Sequence, residues 1–192
     1  MKNNKYKNKT LKLFIGLFLV GIITSILYFN YLDKDDLNIF IKAIKESNIL
    51  DKPINNITNH LKILSVITMF SIIFIGFPLC SGLIISEGFD LFFRVLLLYK
   101  SYKVKGIIYG VLYYLINNLI YILLLYIIFK RIIIICKKIY KYKIKKEIIN
   151  LNEIYHLLIK IIYIIIIIFI SDLLLYYYGS SLIKVFKSFC KI

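Results

Sequence analysis

The chain of 192 residues contains no tryptophan, one alanine (Ala43), two prolines and three cysteines. Each scarcity removes a class of explanation. With a single alanine no A-x-A cleavage site can be written, so the lysine-rich start followed by an apolar run is expected to be a retained anchor, not a removable signal peptide. Cys80, Cys136 and Cys190 lie too far apart for metal-ligand spacing, and an odd number builds no disulfide framework. His60 and His156 have no second ligand beside them, so no metal and no cofactor is expected. No H-E-x-x-H, P-loop, G-x-S-x-G or Cys-x-x-Cys is present. Ser81 precedes Gly82, yet no membrane-embedded histidine or lysine stands ready as its base, and a small residue at a helix contact accounts for it. Catalysis is not expected.

Acidic residues are also few, 10 against 26 basic ones, which leaves a net charge of +16. The positives are spread between apolar runs and are not gathered on one module, so anionic lipid, not nucleic acid, is the expected counter-charge. Heavy use of Ile, Lys, Asn and Tyr reads as the imprint of an AT-rich genome, which lowers the weight of any single Lys, Asn or Tyr.

What is abundant is hydrocarbon. Hydrophobic residues make up 60% of the chain and the mean hydropathy is +0.81, far above a soluble domain. The expectation is an all-α integral membrane protein forming one membrane domain, a bundle of about five transmembrane helices near 11–30, 61–85, 87–104, 106–129 and 157–178. Lys2, Lys5, Lys7, Lys9 and Lys12 precede the first apolar run, which puts the N-terminus in the cytoplasm. The outer segment 31–60 carries Asp33, Asp35, Asp36, Glu46 and Asp51. Within it Leu37, Phe40, Ile41 and Ile44 recur at helical spacing, predicting a short interfacial helix that Pro53 would prevent from continuing.

Gly76 and Pro78 interrupt the second run, and Ser86, Glu87 and Gly88 read as the break before the third. Residues 130–150 read as a cytoplasmic loop, because Lys130, Arg131, Lys137, Lys138, Lys141, Lys143, Lys145 and Lys146 face only Glu147 and Glu153. That requires four crossings before Lys130, so the segment around Phe89 should cross. A re-entrant Phe89 hairpin in a four-span chain is the alternative, and Lys100, Lys103 and Lys105 fit it. The tail Leu182–Ile192 sets Leu182, Ile183, Phe186 and Phe189 against Lys184, Lys187 and Lys191, the pattern of an amphipathic helix.

Polar residues inside apolar runs are the functional candidates. Asp90 and Arg94 are four apart, so they can neutralise one another or mark an ion pathway. Asp172 has no cation near it in sequence and needs a partner, a proton or an aqueous cavity, as a transporter carboxylate would. Asn117 and Asn118, adjacent in Tyr114–Tyr121, point about 100° apart on a helix. They read as hydrogen-bonding glue toward two neighbouring helices, or as a ligand site.

The order Gly76-Phe77-Pro78, Gly88-Phe89, Lys105-Gly106 and Leu115-Ile116-Asn117-Asn118 resembles the stage II sporulation protein M family. Ile116 and Asn117 stand where that family has proline and glutamine, so the resemblance is to a divergent member. It implies a non-enzymatic membrane protein of a Gram-positive-type spore-forming bacterium, on the mother-cell side of the sporulation septum. There it would hold peptidoglycan hydrolases while the septal wall is remodelled for engulfment. The implied partners are those hydrolases and membrane lipids, and a homo-oligomer is left open. A small transporter or permease subunit using Asp90, Arg94, Asp172 and the paired amides is the competing reading. A permeabilising or immunity protein is a third.

Overall fold

The computed structural model describes residues 2–46, 57–71, 75–146 and 151–190, and these are almost wholly helical, with no strand among them. Five helices follow in order: α1 (Lys2–Tyr31), α2 (Lys34–Glu46), α3 (Ile57–Phe70), α4 (Gly76–Lys145) and α5 (Leu151–Cys190). Among the described residues three stretches are long and apolar enough to cross a membrane, Lys9–Tyr31, Asn118–Lys143 and Asn152–Val185. The chain is therefore an all-helical protein with the helices of a membrane protein.

The 70 residues of α4 form two arms. At Lys103 the backbone leaves the helical region, with φ 57° and ψ −138°. A Cβ built on Gly110 would lie 3.4 Å from the Cα of Val95, and one on Gly106 would lie 2.0 Å from the carbonyl oxygen of Leu98. In a straight helix Val95 and Gly110 would stand about 22 Å apart. Residues 76–102 and 104–145 are thus antiparallel arms of a hairpin, closed further along by stacked Phe77 and Phe129 with ring centroids 5.8 Å apart. Lys103 occupies a conformation that favours glycine, so Lys103→Gly is expected to stabilise the fold by about 1 kcal/mol. A melting temperature raised by about 2–4 °C would register it.

The other helices pack on this hairpin. Helix α1 runs parallel to the first arm: Leu13 meets the level of Phe77, Gly21 that of Ile85 and Phe89, and Tyr28 that of Phe93. At their crossing the backbones nearly touch, since a Cβ on Gly88 would lie 2.3 Å from the carbonyl oxygen of Phe18 and one on Gly21 2.0 Å from that of Ile85. Between helices in lipid, where apolar burial drives little, such close backbone packing through small residues holds the pair. Helix α3 folds back along the first arm, with Lys62, Ile63, Val66 and Ile67 facing Leu79, Gly82, Leu83 and Ser86. Helix α5 returns beside the second arm, along a stripe of Ile154, Ile161, Ile164 and Ile168 that meets Tyr121, Leu125, Ile128, Ile132, Ile135 and Ile139 in one core.

Several expected boundaries move. The run 61–85 is shared by α3 and α4, because the chain turns around Ser71: a Cβ on Gly76 would lie 2.4 Å from the Cα of Ser71. Pro78 follows in the first turn of α4, where its missing N–H is not needed. No break occurs at Ser86–Gly88; Gly88 lies mid-helix and serves the α1 crossing, and Phe89 sits within an unbroken arm. The basic stretch expected as a loop is helical through Lys145, because Ile132, Ile135 and Ile139 keep the spacing of a buried helix stripe while the lysines take the other faces. Lys146, left-handed at φ 52°, ends it and donates its N–H to Lys141 and Tyr142 carbonyls. The tail is no separate element, since α5 continues to Cys190 with Ile183 packed on Leu98, Tyr109 and Tyr113.

In the expected outer segment α2 is present, opened by Asp35 and Asp36 in its first turn, where carboxylates favour the helix dipole. Leu37 is buried and Phe40 meets Phe93 edge-on at 5.9 Å. Helix α3 begins inside the same segment, at Ile57. Pro53 and Asp51 lie outside the described residues, as do Glu147 and the side chains of Lys2, Lys5, Lys7, Ile44, Leu182, Phe186, Lys187 and Phe189.

Candidate functional site

The buried stripes that join the two arms and α5 become polar at one level. Asn118 and Tyr121 occupy successive positions on the inner face of the second arm, 3% and 1% exposed, directly before Leu125 and Ile128 on the same stripe. Opposite, the α5 stripe passes from Ile168 to Ser171 and Asp172, also buried. The first arm contributes Cys80, fully buried, and Glu87, half-buried. Tyr121 is the centre of this group, lying within electrostatic reach of the carboxyl groups of Glu87 and Asp172 and of the thiol of Cys80. Three helical segments thus place two carboxyl groups within electrostatic reach of one buried phenol in a largely apolar core.

Two chemical roles fit that arrangement. A carboxyl group in hydrocarbon is costly unless a polar partner meets it, so the cluster can lock the register of the first arm, the second arm and α5. A buried carboxyl group can also carry a proton, as intramembrane carboxylates do in carriers. Among the described residues no group of three or more His, Cys, Asp or Glu side chains could hold a metal ion.

The remaining sequence candidates separate from this cluster. Asp90 and Arg94 are both exposed, and among the described residues no ion pair joins them; Arg94 instead acts on Tyr113 of the opposing arm. Phe89 stacks on Phe93 at 5.5 Å and meets Tyr28 at 5.7 Å, in the aromatic contact between α1 and the first arm. Gly76, Gly88 and Gly106 each stand where a side chain would strike backbone. The side chain of Asn117 lies outside the described residues.

The hydroxyl groups are largely consumed within their own helices. Ser81 Oγ donates to the carbonyl of Phe77 at 2.9 Å, and Thr24, Thr68, Ser71, Ser101 and Ser171 bond carbonyls three or four residues earlier in the same way. This is how hydroxyls are satisfied where water is absent. Ser25 differs, being fully buried with no partner for its Oγ among the described residues.

Sequence reasoning did not single out Tyr121 or Gly21. A signal existed for both. Tyr121 follows Asn118 by three and shares its face, and Gly21 with Ser25 has the small-xxx-small spacing of close membrane-helix contacts. In comparisons of sequence and structure, no family model, no curated protein and no solved structure matches the chain.

Proposed function

We propose that this chain is a non-enzymatic integral membrane scaffold that holds peptidoglycan-remodelling hydrolases at the sporulation septum during engulfment. The observation that carries the reading is the job of the ordered residues Gly76, Gly88, Gly106 and Asn118. They sit at a chain turn, a helix crossing, a hairpin closure and a buried core position of one bundle. The motifs behind the resemblance are thus architectural, as befits a protein whose work is to present surfaces.

In this reading the path crosses the membrane five times, through α1, α3, the two arms of α4 and α5. Helix α3, at 14 described residues, covers about 21 Å, the greater part of a bilayer core of roughly 30 Å. Charge supports the orientation. Lys9 of α1 and Lys137 of α4 line one cleft, so the N-terminal lysines and the basic end of α4 share a side, while Asp33, Asp35 and Asp36 lie at the opposite end of α1. The positive-inside rule makes the lysine end cytoplasmic and leaves α2 outside as the docking surface nearest the wall. Deleting the gene in its own host tests the proposal by imaging: septal thinning and engulfment should stall, and normal engulfment would sink it.

The cluster around Tyr121 favours a second reading, a small transporter or permease subunit. It predicts a pH- or ion-dependent flux in liposomes that Asp172→Asn abolishes; a chain that carries no flux leaves the scaffold reading alone.

A further inference from the structure

At the lysine end a cleft of about 310 Å³ opens between α1 and the two arms of α4, lined by Lys9, Thr10, Leu13, Phe77, Ile133, Cys136 and Lys137. Its composition is divided. Leu13, Phe77 and Ile133 make an apolar floor that continues into the outward, apolar face of α1, where Leu19, Ile23 and Leu27 are exposed. Lys9, Thr10 and Lys137 make the rim, and none of the described residues that line the cleft is acidic. Lys12 and Lys141 stand one turn away on the same helices, adding positive charge. Lys9 precedes the apolar run that starts at Leu13, and Lys137 follows the one that ends at Phe129, so the rim lies at headgroup depth.

We propose that this cleft binds one anionic phospholipid, its phosphate held between the ammonium groups of Lys9 and Lys137 with the Thr10 hydroxyl beside them, and an acyl chain laid over Leu13, Phe77 and Ile133. Two lysines and a hydroxyl match a phosphodiester, while the apolar floor discriminates against a soluble anion that has nothing to lay there. Basic pockets between membrane helices take anionic lipid headgroups by this combination. The inference rests on membrane residence alone. If deletion of the gene left engulfment normal, the scaffold role would fall and this site would stand.

The test is native mass spectrometry of the purified full chain in detergent, titrated with dioleoyl phosphatidylglycerol and separately with dioleoyl phosphatidylcholine. One phosphatidylglycerol should be retained in preference to phosphatidylcholine. Lys9→Gln with Lys137→Gln should weaken that binding about 25-fold, two lysines at roughly fivefold each. Lys143→Gln with Lys160→Gln removes the same charge from the same end without touching the cleft, and should cost only a few-fold. Lys9→Arg with Lys137→Arg should keep the lipid, separating charge recognition from any loss of fold. Equal retention of the two lipids, equal losses from the two glutamine pairs, or loss of binding in the arginine pair would overturn the proposal. So would displacement of the lipid by inorganic phosphate at matching concentration, which would mark a phosphate site.

Discussion

Gly88→Ala and Gly21→Ala should each destabilise the protein by about 2–3 kcal/mol, the usual cost of forcing atoms into a packed contact. The sign is the informative part. Alanine in place of glycine inside a helix is ordinarily stabilising by about 0.5–1 kcal/mol, because the glycine backbone loses more freedom on folding. Gly16 and Gly82 show that ordinary case, since a Cβ at either would meet nothing within 4 Å. Gly16→Ala and Gly82→Ala are therefore expected to raise the melting temperature slightly. At Gly88 and Gly21 the new Cβ would strike carbonyl oxygens of the partner helix at 2.3 and 2.0 Å, and a backbone cannot move aside as a flexible side chain can. Helix α1 must then separate from the first arm of α4, loosening the contacts of Phe14 with Tyr126 and Phe129 and of Tyr28 with Phe93. Thermal unfolding of the four variants in one detergent checks this. A common sign for all four would mean that α1 does not cross the first arm as described.

A second expected result is all-or-none. In a background with Cys136→Ser and Cys190→Ser, a cysteine at Tyr142 should resist a membrane-impermeant thiol reagent in intact cells, while one at Asp36 should react. Both positions are exposed on the fold, so accessibility differs only through the membrane. Native Cys136 is a poorer reporter, being half-buried with its Sγ 3.9 Å from the carbonyl of Ser71, and would label weakly on either side. Cys80 is fully buried and can remain. Labelling at Tyr142→Cys but not at Asp36→Cys would invert the orientation. Labelling at both would mean that an even number of crossings separates them, which five crossings in the stated order do not allow.

Much of the helical content was legible because it rests on composition and on the 3.6-residue period. The apolar character of α1, of the second arm of α4 and of α5 could be read directly, and so could α2, whose Leu37 and Phe40 lie three apart. Where helices begin and end was less legible, for reasons that particular residues make plain. Gly88 looks like a turn in sequence, but a glycine serves equally where one helix touches another, and only the presence of Phe18 opposite decides. Lys103 carries no turn signal at all, though the hairpin reverses there; the glycines that betray the reversal are Gly106 and Gly110, which let the returning arm lie close to Leu98 and Val95. Lysine density suggested a loop after Phe129, while the spacing of Ile132, Ile135 and Ile139 was the better guide. The polar cluster was half visible. Asn118 and Asp172 stand out in apolar runs, but that Glu87 and Asp172 both come within reach of Tyr121 needs the arms and α5 to be brought side by side.

The second arm of α4 has a mechanical consequence. Residues 104–145 are about 63 Å of helix, twice the thickness of a bilayer core, and from Val111 to Lys145 there is neither glycine nor proline to act as a joint. Its far end is strapped to α5 by the ion pair of Lys138 with Glu153 and by the isoleucine stripe. The two helices form a stiff double strut with its tip at Lys146 and the Tyr121 cluster partway along its length. A strut without a joint tilts as a unit, so whatever pulls on the tip carries Tyr121 and Asp172 together and levers them against Glu87 on the first arm.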